Sequence, residues 1–285
     1  MFKLSHSRSK LAALLFLAAA PASLHAQDAW AAEGAWFETD GVKIRLVTAV
    51  SASGQTVDAG LQIILEEGWK TYWRSPGSSG IPPQLNFLGS QNVASATLRF
   101  PTPSVLNDVD GISAGYKNEV VFPIDVKLND PAGQVNLKAN GFIGVCKEIC
   151  IPVQFTVEVK EPRTAGSSFQ ALTALAKGRG ALSKAATDNQ RIHNLNFVNE
   201  NGPVLTATAK VPDGASSAEL FVEGPYNWYL SPTKAKSIED GVATFEIPLR
   251  SLPKTAKPVG TKVQALLVAD GKSTEQSLTI AKAGK

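Results

Sequence analysis

The sequence predicts an all-β protein: a β-sandwich over the first half of the chain, a helical linker, and a second, smaller sandwich-like domain. Three observations carry this reading. Short apolar stretches recur along the chain, separated by Gly, Pro, Asn and Asp turn residues. The clearest, residues 153–160, puts Val153, Phe155, Val157 and Val159 on one face and Gln154, Thr156, Glu158 and Lys160 on the other. That alternation belongs to a half-buried antiparallel strand. Only residues 169–186 show convincing helical spacing, with Phe169, Leu172, Leu175 and Ala176 on one face.

In chain order, residues 1–26 read as a secretory signal peptide. Lys3, Arg8 and Lys10 precede the apolar run 11–20, and small residues lead to a cut after Ala26. The run is too short for an ordinary membrane span, and no cysteine follows it to carry a lipid anchor. Of 285 residues, 259 then remain; the 28 basic residues lose three and balance the 25 acidic ones. No long basic stripe is left, which makes nucleic acid a poor partner. Strands are predicted at 42–50, at 59–73 with a break near Glu67 and Gly68, and at 93–100, 119–128 and 134–143. A Pro- and Gly-rich connection, 74–84, lies between the second and third. Residues 30–160 thus form the first domain, ending at the Pro/Gly/Ser stretch 161–168. A linker with a helix, weakened by Gly178 and Gly180, spans 161–190. Residues 191–285 form the second domain, with strands near 195–200, 203–211, 217–224, 242–250 and 261–281. It holds no cysteine, and its one histidine, His193, reads as a surface residue. Its turn with Glu223, Pro225, Tyr226, Trp228 and Tyr229 is either a contact surface or ordinary turn packing.

The chemistry-bearing residues are Cys146 and Cys150, the only cysteines. In one continuous strand they would lie roughly 13 Å apart, beyond the range of about 4.4–6.8 Å that a disulfide needs between Cα atoms. A reversal at Lys147-Glu148-Ile149 resolves this, ending one strand at Cys146 and starting its antiparallel neighbour at Cys150. Bridging so short a loop stabilises by only roughly 2 kcal/mol, which weighs towards a reactive pair. Export permits a structural staple as well. A closed zinc site needs four ligands, and beyond the leader only His193 could join the two thiols. Two thiolates capturing copper(I) stay open as an alternative. No phosphate loop, zincin motif or nucleophile elbow is present, and no cofactor or resident metal is expected.

Three segments in order carry a family resemblance: GWKTYWRSPGSSGIPPQLNF (68–87), GISAGYKNEVVFPIDVKL (111–128) and GVCKEICIPVQFTVEV (144–159). Over about residues 36–160 the chain resembles the N-terminal periplasmic domain of the DsbD/ScsB thiol–disulfide interchange family. The resemblance implies an immunoglobulin-like domain whose Cys146 and Cys150 cycle between dithiol and disulfide. It implies that Cys150 enters the mixed disulfide and Cys146 resolves it. It also implies a shielding loop, here about 106–116; the family's aromatic cap residue has no counterpart in this loop, and the candidates to replace it are Tyr116, or else Trp69 and Tyr72. Lys147 would lower and Glu148 raise a neighbouring thiol pKa, and Pro152 would fix the chain beyond the pair. Nothing after residue 160 resembles the family's electron-conducting membrane domain. The expected partners are therefore a separate multispan membrane thiol reductase and periplasmic thioredoxin-like or disulfide-bearing substrate proteins. The alternatives are a non-catalytic β-sandwich binding or assembly protein with a structural disulfide, and a copper-tolerance accessory protein.

Overall fold

A computed structural model describes residues 30–50, 57–108, 111–160, 168–200, 202–225, 227–250 and 252–283. The leader, most of the boundary 161–168, Val109, Asp110 and Tyr226 lie outside the described residues. Four sheets pair into two sandwiches, with one helix between them in sequence. In the N-terminal sandwich, the first sheet runs Trp30–Glu33, Val42–Val50, Val57–Leu65, Glu119–Leu128, Val93–Leu98, with Phe37–Thr39 beside Val42–Val50. The second runs Cys150–Lys160, Asn136–Cys146, Lys70–Tyr72, Gly111–Lys117, Ser104–Asp108, with Gln84–Asn86 also on Asn136–Cys146. Alternate residues of both meet inside: Ile44, Leu61, Ile63 and Phe122 from one sheet, Leu137, Ile143, Phe155 and Val157 from the other. This is the period-2 pattern read from the sequence, now closed into a core.

The predicted strands 42–50 and 119–128 hold to the residue. The stretch 59–73 divides into Val57–Leu65 and Lys70–Tyr72, and the two pieces belong to different sheets. Between them the Trp69 amide donates to the Glu66 carbonyl, and Gly68 takes φ +82°, a left-handed value that glycine adopts without steric cost. That turn carries the chain across the sandwich to the cysteine-bearing sheet.

The helix covers Phe169–Gly180 rather than 169–186, and Lys184–Ala185 is a short strand beside Lys272–Thr279. Its buried residues are Ala171, Ala174, Leu175 and Gly178, packed on Val47, Ala49 and Val121 of the first sheet. Phe169 and Ala176 are exposed, so the predicted face is rotated. The cause is close approach: a Cβ at Gly178 would lie 2.8 Å from the Val121 carbonyl oxygen. Small residues, not the largest apolar ones, select the packed face. Among the described residues no helix is long and apolar enough to cross a membrane.

The C-terminal sandwich pairs the sheet Lys184–Ala185, Lys272–Thr279, Lys262–Ala269, Ala218–Glu223, Thr233–Lys234 with the sheet Ser237–Glu239, Val242–Pro248, Val204–Lys210, Arg191–Val198, Ala281–Lys282. Its own core includes Ile192, Leu205, Leu220, Phe245 and Leu267. Phe221, Leu266 and Val268 point the other way and join the core of the N-terminal sandwich. The two sandwiches therefore share an apolar seam, bridged beside it by the hydrogen bond between the Thr102 and Ser273 hydroxyls.

Candidate active site

The hairpin Asn136–Lys160 turns at Lys147–Ile149, as the spacing requires. Cys146 and Cys150 are direct cross-strand partners, joined by a disulfide with Cα atoms 4.1 Å apart. So close a pair is of the non-hydrogen-bonded kind, in which facing side chains approach most nearly. The next such pair along the hairpin is Gly144 with Pro152. There the missing N–H of Pro152 faces outward on a strand that ends its sheet, where proline costs no ladder bond. The two cysteines differ in exposure. Cys146 is 1% exposed, while Cys150 is exposed together with Lys147, Glu148 and Ile149 at the turn.

Tyr72 connects them. Its hydroxyl lies 2.9 Å from Cys146 Sγ and 3.3 Å from Cys150 Sγ, and the residue is buried. Two glycines make room for the ring. A Cβ at Gly80 would come within 2.6 Å of the Tyr72 Cδ1, and one at Gly144 within 2.6 Å of Ile81 and 3.3 Å of the Tyr72 Cδ2. The connection 74–84 thus roofs the tyrosine. Thr71 braces the same place from the other side, its hydroxyl donating to the Gly144 carbonyl at 2.9 Å. Lys70 is the cross-strand partner of Cys146 and is only 4% exposed.

Of the predicted site residues, the structure brings together Cys146, Cys150 and Tyr72. Tyr116 stands elsewhere: its hydroxyl donates to the Pro101 carbonyl at 2.7 Å, and its ring meets Phe122 edge-on at 5.2 Å. The reason is phase. Val145, Thr71 and Tyr116 share one row facing the sandwich core, whereas Cys146, Lys70 and Lys117 share the next row, on the opposite face. Burial pushes the Tyr116 phenol well above its ordinary pKa. Trp69 is also displaced, lying over Gly41, where a Cβ would sit 2.3 Å from its ring. Lys147 lays its aliphatic stem towards Gly68, and Glu148 is solvent-exposed. The segment 106–116 forms the hairpin Ser104–Asp108 with Gly111–Lys117, tied to the connection 74–84 by the Ala114 amide donating to the Pro76 carbonyl at 2.9 Å. Tyr72 pairs with Gly115 of this hairpin, while its ring is approached by Gly80, in the Gly- and Pro-rich run of the first family segment, which the sequence reads only as a connection. Lys70 and Gly144 were equally visible in the quoted segments, but their proximity depends on the register of non-consecutive strands.

The aromatic turn of the C-terminal sandwich divides its roles. Trp228 is buried and Tyr229 exposed, and together with Arg74, Gly80 and Ile81 they line a groove beside the roof of the site. Among the described residues, no group of three His, Cys, Asp or Glu side chains converges into a metal site.

Residues 42–162 match the family model described as "Thiol:disulfide interchange protein DsbD, N-terminal". Among solved structures, the N-terminal periplasmic domain of ScsB from Proteus mirabilis aligns with a TM-score of 0.69 at 19% identity, covering 88% of this chain and 99% of that one. At that identity the likeness shows the fold, and it extends through both sandwiches. A biofilm-associated protein BSP domain aligns with a TM-score of only 0.25 at 10% identity, over 91% of this chain and 53% of that one, and carries no argument. No curated protein matches the chain significantly. The hairpin-borne cysteine pair lies within the matched segment, so residues 42–162 hold a DsbD N-terminal-like domain that carries a disulfide.

Proposed function

We propose that the Cys146–Cys150 pair is redox-active in the periplasm, taking electrons from a membrane thiol reductase and passing them to periplasmic thioredoxin-like or disulfide-bearing proteins. The observation that supports this best is the asymmetry of the cysteines: Cys150 is exposed at the turn, and Cys146 is buried. A thiolate of the reductase attacks the exposed Cys150 Sγ, forming an intermolecular disulfide. The Cys146–Cys150 bond breaks, and Cys146 leaves as a thiolate. The Tyr72 O–H donates to that developing charge, and Lys70 shares its row, so the leaving group is stabilised where solvent is excluded. The second thiol of the reductase then attacks the mixed disulfide, and Cys150 leaves as a thiolate. Two electrons have moved: the donor dithiol has become a disulfide and the pair two thiols. In the onward step Cys150 attacks the substrate disulfide, and Cys146 resolves the complex, restoring the internal bridge and releasing a reduced substrate.

Trapping tests this reading. In Cys146→Ala the resolving sulfur is gone, and a mixed disulfide through Cys150 is expected to accumulate with periplasmic proteins. Cys150→Ala, leaving only the buried sulfur, is expected to trap far less. Absence of any covalent complex in Cys146→Ala, with a wild-type bridge of potential below about −300 mV, would identify an inert structural disulfide.

A further inference from the structure

We propose that Glu223 and Glu275, on the cysteine-free C-terminal sandwich, are positioning residues for the disulfide, acting through Arg74 on Tyr72. The inference rests on the redox reading above and assigns that sandwich a part in the same site. Three consecutive residues carry it. Tyr72 meets both sulfurs. Trp73, fully buried, turns to the shared seam and packs edge-on against Phe221, with ring centroids 5.8 Å apart. Arg74 then places its guanidinium over the Trp73 ring at 4.4 Å. Its Nε donates to Glu223 and its Nη2 to Glu275, each at 2.6 Å.

The two carboxylates are well set for this task. Ala218–Glu223 and Lys272–Thr279 flank Lys262–Ala269 in one sheet, so their spacing is that of two strands across a continuous ladder. The Ser183 hydroxyl donates to the second oxygen of Glu275 at 2.8 Å, fixing its orientation. Only a planar guanidinium fork fits two carboxylates approaching from separate strands. Arg74 also begins the connection whose Gly80 and Ile81 bear on Tyr72 and Gly144. Holding Arg74 therefore holds the tyrosine from its own strand and from its roof.

The consequence has a definite sign. Releasing Arg74 loosens the Tyr72 O–H from Cys146 Sγ, the Cys146 thiolate loses a donor, and the reduced pair becomes less favoured relative to the disulfide. Charges lost at an ordinary interface would instead leave thiol chemistry untouched.

The test uses the full chain in which Glu223 and Glu275 are both changed to Gln. The equilibrium constant for reduction by glutathione is expected to fall three- to tenfold, where tenfold corresponds to about 30 mV. The midpoint of thiolate formation, titrated on chemically reduced protein, is expected to rise. Adding Tyr72→Phe to the double variant is expected to shift both quantities by less than Tyr72→Phe does alone, because both act through one hydrogen bond. Lys236→Gln, which cuts an exposed ion pair with Glu246 in the same sandwich, is expected to leave both quantities unchanged. Unaltered titration and equilibrium in the Glu variant, or a shift that adds in full to that of Tyr72→Phe, would overturn the proposal. If the double variant melts below the assay temperature, Glu223→Gln and Glu275→Gln singly carry the same test, each with a smaller shift. The titration needs no partner protein, so a pair that exchanges with none still reports on the clamp.

Discussion

Tyr72 and Tyr116 stand on neighbouring strands of one sheet, both buried and both hydrogen-bonded, yet only Tyr72 touches the cysteines. They differ by one position in the cross-strand rows: Tyr116 pairs with Thr71 and faces the sandwich core, and Tyr72 pairs with Gly115 and faces the disulfide. A single-residue phase separates structural from chemical work, because successive side chains of a strand point to opposite faces. The inner face is filled by large apolar groups, the outer one by glycines that leave room for a ring. Changing that room is the most forceful way to break the contrast. Gly144→Val would drive methyl groups into Ile81 and the Tyr72 ring, where even a Cβ comes within 2.6 Å of Ile81. Overpacking of this kind costs about 1–3 kcal/mol. Denaturant titration should show that loss, and exchange with a small disulfide should slow more than tenfold as the hydroxyl leaves the sulfurs. Exchange at the wild-type rate in a destabilised Gly144→Val protein would separate the packing of Tyr72 from its chemistry.

The tyrosines themselves give the next effect, with opposite readouts. Tyr72→Phe keeps the ring and removes the donor, and hydrogen bonds to charged groups contribute about 1.5–3 kcal/mol. Thiolate formation should move to higher pH, and exchange at neutral pH should slow about tenfold, with little change in stability. Tyr116→Phe should leave exchange alone and cost about 1–2 kcal/mol of stability, since it strips the buried Pro101 carbonyl of its donor. Alkali sharpens the comparison. Desolvation raises the folded-state phenol pKa of Tyr116 above its ordinary value near 10. The unfolded chain therefore gives up that proton first. The stabilisation linked to the neutral phenol is complete below about pH 10 and declines as pH rises above it. Stability measured across pH 9–11 should fall more steeply in the wild type than in Tyr116→Phe. Parallel slopes would remove the buried phenol as the cause.

What the sequence made legible follows the same division. Alternation is local, so the strands 42–50 and 119–128 and the hairpin at the cysteines could be read without neighbours. Which aromatic residue of WKTYWR or GY faces the sulfurs depends on register between strands far apart in sequence, and no local pattern carries that. Tyr116 and Trp69 looked as eligible as Tyr72 for this reason. The helix failed in a related way, since apolar size pointed to Phe169, while the packed face was chosen by how closely Gly178 approaches Val121. The clamp on Arg74 was hidden more deeply, because Glu223 and Glu275 converge only once the second sandwich has folded.

The smallest expected effect lies at the turn, where the face that touches the cysteines meets solvent. Ile149 is 75% exposed, an isolated apolar side chain one residue before the accessible Cys150. A lone exposed isoleucine needs no explanation on an ordinary surface. If Cys150 exchanges with proteins as proposed, Ile149 gains buried area each time a partner docks and gains nothing when a small thiol attacks. Burying it at an interface stabilises by about 1–2 kcal/mol. Ile149→Ser should therefore leave the glutathione equilibrium and protein stability unchanged while weakening exchange with a protein partner three- to tenfold, through KM rather than kcat. An equal loss towards glutathione and protein would place Ile149 in the inner arrangement around Tyr72. No loss towards either would remove Ile149 from the proposed docking surface.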